Sequence, residues 1–157
     1  MTEHRRRTTD ELDEILTWSV VRVSRFVGQR LAERLAAHGL NPIHFGVLAY
    51  LAIAPEMTQA DLARAVLVRP QSIAPLLDGL EERGLIRRTG DRARGRRNPV
   101  QITDDGERAL DAVWEIALST NDLSDAGLTT LESAELSRLL LKIIRATQGT
   151  ALDGFYE

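Results

Sequence analysis

The sequence predicts a mainly α-helical fold that carries one small β-wing. Apolar residues recur at three- and four-residue steps along most of the 157-residue chain, which is typical of amphipathic helices. Two short helical segments, residues 58–66 and 70–83, are separated only by a turn. A basic stretch follows them and ends in a short extended run before Thr103. Two short helices followed by a hairpin predict a winged helix-turn-helix core.

The two short helices have recognisable starts and stops. Thr58 with Asp61 three residues later is close to a capping box, which satisfies the first amides of a helix. Pro70 suits the first position of the second helix, where its missing N–H costs nothing. Gly84 provides a left-handed stop. The second helix should bury one face, formed by Ile73, Leu76, Leu77 and Leu80.

The basic stretch, residues 83–97, is the sharpest electrostatic feature. It holds seven arginines against the single acid Asp91, a local charge of +6 in a chain whose net charge is −3. Such a cluster beside a helix-turn-helix is the expected mark of a phosphate-backbone contact. The alternative is a solvated loop, because the chain prefers arginine everywhere and Lys142 is its one lysine.

The flanking segments predict dimerisation helices. Thr8 with Glu11 predicts a capping box that opens one long helix to about His38, with Gly39 as its stop. Its length, on the order of 40 Å, exceeds what one small core needs to cover, so part of its apolar stripe should meet a second subunit. Thr103 should cap the next long helix after the wing.

The remaining starts and stops divide the chain into three parts. Asn41 and Pro42 predict the start of the first core helix, and Thr129 with Glu132 predicts the start of the last helix, which should end at Gly149. We therefore expect an N-terminal arm and dimerisation helix in residues 1–40, a winged DNA-binding domain in residues 41–103, and C-terminal dimerisation helices in residues 104–157.

Several function classes find no support in the sequence. The chain contains no cysteine, which excludes disulfides, thiolate metal sites and cysteine-based redox sensing. Its histidines, at positions 4, 38 and 44, do not lie one helical turn apart, and no glycine-rich phosphate loop is present. We expect neither an enzyme nor a cofactor. No long apolar run or signal-peptide pattern occurs, so we expect a cytoplasmic protein without a membrane partner.

Four segments, in order and at the right spacing, resemble the MarR-type winged-helix transcription regulators. They read LNPIHFGVLAYLA, TQADLARAVLV, LLDGLEERGLIRR and VQITDDGERAL. The resemblance implies a homodimer that binds double-stranded DNA at a palindromic promoter site, usually as a repressor. It also implies that a small aromatic or phenolic effector often releases the DNA. The operator, the target genes and the effector itself do not follow from the sequence.

The resemblance also suggests which residues contact DNA. Arg69 stands where relatives usually have a small polar cap, and we expect it to bind phosphate. Gln71 and Ser72 can hydrogen-bond base edges, while Ala74 offers only apolar contact, for example to a thymine methyl. In the wing, Arg96 matches a minor-groove arginine, although Arg94 replaces its usual acidic brace. The complete wing set is Arg88, Arg92, Arg94, Arg96 and Arg97.

Two residues of the second helix leave an alternative open. Pro75 removes a helical hydrogen bond, which usually costs roughly 3 kcal/mol, and Gly79 weakens the helix by about 1 kcal/mol relative to alanine. The helix should therefore kink at Pro75 or have a tight first turn. A protein-interaction module that keeps the winged fold but has weakened DNA readout is the alternative function.

By resemblance, an effector would lie in a crevice between the dimerisation helices and the winged core. Five residues would line it: Trp18, Arg22, His44, Phe45 and Trp114. An arginine near aromatic rings could hold a carboxylate against an apolar wall. In the alternative interpretation, the aromatic residues belong to the core, Arg22 is paired on the surface, and His44 lies at a helix start.

Overall fold

The computed structural model describes residues 7–89 and 99–147, and these are mostly helical with one two-stranded antiparallel sheet. This arrangement confirms the predicted fold class. In chain order the elements are α1 Thr9–Asp13, α2 Leu16–Ala36, α3 Pro42–Ile53, α4 Gln59–Ala65, α5 Pro70–Glu82, β1 Ile86–Arg88, β2 Val100–Ile102, α6 Asp104–Ser119 and α7 Thr130–Thr147. A short 3₁₀ turn, Ser124–Ala126, lies between α6 and α7.

The single long N-terminal helix predicted from the sequence is wrong, because α1 and α2 are separate. Ile15 has an extended backbone, and its N–H bonds to the carbonyl of Leu12, 3.1 Å away, in a tight turn that ends α1. Arg22 then binds Asp13 across the break at 2.8 Å. The apolar periodicity runs on through this region without glycine or proline, so the break is not visible in the pattern.

Most predicted helix boundaries are confirmed. Complete capping boxes form at Thr8, Asn41 and Thr58, and Thr129 makes the reciprocal bonds with Glu132. Thr103 caps α6. Gly39 and Gly84 both adopt positive φ after α2 and α5. Helix α2 itself ends at Ala36, slightly before the expected His38, and the predicted stop at Gly149 lies outside the described residues.

The hydrophobic core lies where α3, α4 and α5 pack together with the sheet, the end of α2 and the first half of α6. Leu35, Leu40, Leu110 and Val113 belong to it, so the core includes residues on both sides of the winged segment. The remaining buried apolar residues are Val47, Leu48, Leu51, Leu62, Ala63, Ile73, Leu77, Leu80, Leu85, Ile86 and Val100. Helices α1 and α7 contribute no buried residue to it.

The sheet is tied to its neighbours on both sides. Ile86 pairs with Ile102 in the antiparallel register, and Met57 bridges Val100 from the loop before α4. Gly106, in the first turn of α6, packs so closely on the backbone of Leu85 that a Cβ atom there would overlap the Leu85 carbonyl oxygen. The sheet and the start of α6 therefore form one rigid base for the wing.

One arginine joins α2 to the α6–α7 connection. Arg30 forms an ion pair with Asp125 at 2.5 Å and donates a hydrogen bond to the Asp122 carbonyl at 2.9 Å. Since the Arg30 side chain is largely buried, this pair is less screened by water than an ordinary surface ion pair. The connection is thereby held against the middle of α2.

Large apolar side chains remain exposed on α1, α2 and α7. Leu16 is 76% exposed and Leu131 is 83% exposed, and α7 also presents Leu139, Leu140, Ile143 and Ile144. Among the described residues, no helix is both long and apolar enough to cross a membrane. Nor does that part of the chain contain a cluster of acidic or histidine side chains that could hold a metal ion.

Candidate nucleic-acid interface

Helices α4 and α5 form the helix-turn-helix pair. Leu62 and Ala63 of α4 are buried in the same core as Ile73, Leu77 and Leu80 of α5. The Thr58 hydroxyl, which bonds Asp61, lowers the pKa of that carboxyl, and Arg64 adds to the effect. Asp61 therefore stays ionised at the positive end of α4. With one side of each helix buried, α5 presents its opposite side to solvent.

The turn between the helices contains a residue with unusual backbone geometry. Leu67 has φ +56°, a left-handed conformation that costs a residue with a Cβ about 1–2 kcal/mol. The Val68 N–H bonds the Ala63 carbonyl at 3.0 Å, which ends α4. Val66 and Val68 pack against the core, whereas the Leu67 side chain is 69% exposed. The turn thus places a leucine in solvent immediately before α5.

Proline does not interrupt α5, which is continuous from Pro70 to Glu82 with Pro75 inside it. The first turn is tight, because the Ser72 N–H bonds the Arg69 carbonyl three residues back at 2.8 Å. This confirms the second of the two geometries predicted for the helix. Pro75 lies on the exposed side, where its ring displaces no core residue.

The first turn of α5 brings together the four predicted DNA-contacting residues of this helix. Gln71 and Ser72 are exposed and Ala74 is half-buried. Arg69 is the N-cap residue, and its side chain makes no capping hydrogen bond. Among the described residues nothing is found to pair with the Arg69 guanidinium, and Arg69 itself is the residue that precedes the positive end of the helix dipole. An anion placed there would pair with the guanidinium.

Arg88 has a different environment from the one that the sequence suggested. Its side chain is only 14% exposed, its Nη2 atom pairs with Asp78, and its Nε atom donates to Glu81 at 3.0 Å. The Arg88 backbone N–H also bonds Glu81 at 3.0 Å. The guanidinium thus pairs with two carboxylates of α5 and links β1 to that helix.

The other predicted wing residues, Arg92, Arg94, Arg96 and Arg97, lie outside the described residues. Two nearby arginines are engaged within the fold. Arg83 donates to the Gly39 carbonyl at 2.8 Å, and Arg87 donates to Gln101 at 2.8 Å. The contacts of Asp78 and Glu81 with Arg88 of β1 were not predicted from the sequence. Their three-residue spacing on one helix was visible, but their partner on β1 was not.

The five predicted effector residues are only partly brought together. Phe45 and Trp114 are in contact, with ring centroids 5.8 Å apart and planes tilted by 37°. His44 is next to Phe45 and belongs to the Asn41 capping box. Arg22 is paired with Asp13 instead. Within the described ranges, no ring contact, hydrogen bond or ion pair joins Trp18 or Arg22 to the Phe45–Trp114 pair.

A separate open groove runs along α1 and has a volume of about 560 Å³. Its lining residues are Arg7, Thr8, Thr9, Glu11, Leu12 and Ile15. None of the five predicted effector residues is among them. The groove shares Leu12 and Ile15 with the exposed apolar side of the N-terminal helices.

His44 is expected to make the stability of the protein depend on pH. Burial, aided by the positive charge of Arg83, lowers the pKa of His44 from 6.5. The unfolded chain therefore takes up a proton at a pH where the folded protein does not. Above the pKa of His44 in the unfolded chain, both states are unprotonated at this residue, and its ionisation does not lower the free energy of unfolding. We expect the free energy of unfolding to fall as the pH drops below about 6.5. Denaturant titrations between pH 5 and 7.5 measure this slope.

The matched control is His44→Gln, because glutamine at the third helical position can also complete a capping box. The variant lacks the titrating ring, so its stability should depend less on pH across the same interval. Identical slopes for the natural protein and the variant would contradict the assignment.

Comparison with known proteins agrees with this architecture. A family model described as MarR family matches residues 38–97. The transcriptional regulator HosA of Escherichia coli O127:H6 is 31% identical over 111 residues, which span 71% of this chain and 79% of HosA. The segment matched by the family model includes the α3 to α5 core.

Solved structures show the same fold over most of the chain. The Mycobacterium tuberculosis MarR family protein Rv2887 in complex with salicylic acid is 26% identical, with a TM-score of 0.67 over 82% of this chain and 95% of that one. The transcriptional repressor CouR bound to p-coumaroyl-CoA is 26% identical, with a TM-score of 0.74 over 89% of this chain and 99% of that one.

These findings define a winged helix-turn-helix protein of the transcriptional regulator class. The chain belongs to the MarR family. Its relatives are regulators of transcription rather than enzymes, in agreement with the sequence-based expectation.

Proposed function

We propose that the protein is a dimeric, sequence-specific DNA-binding repressor of transcription that acts in the cytoplasm and is released by a small ligand. One observation carries the proposal. The helix-turn-helix presents Gln71 and Ser72 to solvent beside Arg69, whose guanidinium has no partner in the described part of the chain. A phosphate and a base edge are the groups that would satisfy these side chains.

The exposed apolar faces of α1, α2 and α7 support the dimer. A soluble monomer rarely leaves so large a set of leucine, isoleucine and valine side chains in water. The simplest explanation is that a second copy of the chain packs against these faces, because two-fold dimers are the commonest form of assembly. A two-fold dimer would present two α5 helices, and its operator would therefore be palindromic.

The test of this function is binding of the purified protein to the DNA upstream of its own gene, measured with random duplex as competitor and with salt varied. We expect a specific complex with a two-fold footprint and a steep dependence on salt. Weak and equal binding to both duplexes at physiological salt would contradict specific DNA recognition.

Substitutions in the first turn of α5 separate base contacts from phosphate contacts. The double variant Gln71→Ala/Ser72→Ala should lose about 1–3 kcal/mol of discrimination for each base contact removed, with its salt slope unchanged. Arg69→Ala should instead weaken binding to all sequences and lower the salt slope by about one unit. Fluorescence anisotropy on specific and random duplexes measures both quantities. An unchanged footprint in the double variant would refute its role in reading bases.

An effector site next to the Phe45–Trp114 pair is the second part of the proposal. The relative Rv2887 has been solved with salicylic acid and CouR with p-coumaroyl-CoA, so small aromatic ligands are the first to try. We expect salicylate to give heat in isothermal titration and to dissociate the DNA complex, and Trp114→Ala to reduce both effects at least tenfold. If salicylate neither binds the protein nor dissociates the protein–DNA complex, an effector of the salicylate type is excluded.

A protein-interaction module with weakened DNA readout is the alternative function. The observation in its favour is the charge of α5, which contains Asp78, Glu81 and Glu82 but no lysine or arginine between Pro70 and Glu82. Acids on a recognition helix oppose its approach to phosphates. If the natural protein fails the DNA test above, a pull-down for a protein partner is the experiment to perform next.

A further inference from the structure

The exposed side of α5 lacks positively charged side chains that could contact DNA. No residue from Pro70 to Glu82 is basic. Gln71 is followed one helical turn later by Pro75, which is exposed on the same side of the helix. Ala74 and Gly79 flank this side and carry no polar side-chain atom. After the first turn, the helix therefore offers DNA an apolar surface until Asp78, whose carboxylate already pairs with Arg88.

Leu67 adds a second exposed apolar side chain, in the turn before α5. Its neighbours Val66 and Val68 pack against the core, but Leu67 points a large apolar side chain into water. It does so from a left-handed backbone conformation that glycine or asparagine would adopt more easily. Packing within the free protein therefore does not explain why position 67 is a leucine. Strain at an exposed position is an observation from which a role in binding can be inferred.

We propose that Leu67 and Pro75 read thymine methyl groups in the major groove. The C5 methyl of thymine is the apolar group that base edges display there, and it is the natural partner of an exposed leucine or proline. The inference rests on the proposed DNA-binding function and specifies its readout: hydrogen bonds from Gln71 and Ser72 at the first turn, with apolar contacts on either side. The preferred operator should then contain thymines at set positions.

Uracil is the probe that isolates this contact, because it differs from thymine only by the absent methyl. The full-length protein first selects its preferred duplex from a random pool. The thymines of that duplex are then replaced by deoxyuridine one position at a time, and affinity is measured by anisotropy. For the natural protein, each contacted methyl should contribute about fourfold to the affinity, and uncontacted positions should contribute nothing.

Variants assign each methyl to a side chain. Leu67→Gly and Leu67→Asn both suit the left-handed backbone, so the turn should fold in each. Pro75→Ala restores a helix former at an exposed position of α5. In each variant, the penalty for uracil should disappear at the positions that the substituted side chain contacted and remain elsewhere. Arg69→Ala is the comparison, since it should weaken thymine and uracil duplexes equally.

The outcomes separate this inference from the proposed function. Specific binding in which uracil replaces thymine everywhere without loss would overturn methyl readout alone. A uracil penalty that persists unchanged in all the Leu67 and Pro75 variants would also overturn it. If no duplex from the pool is preferred, sequence-specific DNA binding fails, and the methyl readout fails with it. A penalty that is lost position by position in the variants would establish the contact.

Discussion

Replacing Gly106 by alanine is expected to destabilise the winged core severely. The added Cβ would overlap the Leu85 carbonyl oxygen and lie 2.7 Å from Cγ1 of Ile102. The same carbonyl accepts a hydrogen bond from the Thr103 N–H at 3.1 Å, so moving it would disrupt the start of α6. We expect a loss of about 3 kcal/mol and a melting temperature lower by about 10 °C, measured by circular dichroism.

Gly79→Ala is the matched control for this substitution. Gly79 also lies in a helix, but a Cβ there would meet nothing within 4 Å outside the backbone of its own helix. Alanine should therefore stabilise α5 by about 1 kcal/mol through its greater helix propensity. Equal destabilisation by the two substitutions would show that the close approach of α6 to Leu85 is not what requires glycine at position 106.

Placing an acid on the apolar side of α7 is expected to abolish both the dimer and tight operator binding. Leu140 and Ile143 lie on one side of the helix and are exposed in the single chain. Leu140→Asp/Ile143→Asp would bury two charges in the proposed interface, at a cost that such an interface does not recover. We expect a monomer by light scattering. Since each monomer holds one half-site, affinity for the two-fold site should fall about 100-fold or more.

Ala134→Asp provides the control on the same helix. Ala134 is exposed, and helical spacing places it on the opposite side of α7 from Ile143. This variant should remain dimeric and bind DNA as the natural protein does. A double variant that is folded and still dimeric would show that α7 does not form the interface.

The features of the fold that depend on neighbours in sequence were predictable. A capping box such as Thr58 with Asp61 connects residues three apart, so its pattern contains all of its partners. The break at Ile15 was not predictable in the same way, because nothing in the residue types there disfavours a helix. The close packing of Gly106 on Leu85 was also missed, since it joins segments that the wing separates.

The candidate site shows the same limit. Arg69, Gln71 and Ser72 could be grouped from the sequence because they are near one another in the chain, and the structure leaves all three exposed. The role of Arg88 depends on two carboxylates that lie seven and ten residues away, on another element. Charge counting treats all arginines of the basic stretch as equivalent. Only the fold shows that Arg83, Arg87 and Arg88 already have partners.

The brace between Arg88 and α5 has a consequence for attempts to transfer DNA specificity between related regulators. A graft of α5 alone would remove Asp78 and Glu81 and leave the Arg88 cation largely enclosed without counter-charges. A graft of β1 alone would leave Asp78 and Glu81 of α5 without their cation. The segment that can be exchanged as one unit therefore runs from residue 70 to residue 88. Chimaeras whose junction falls inside this segment should keep α5 helical but lose the ion pairs that fix β1 against it.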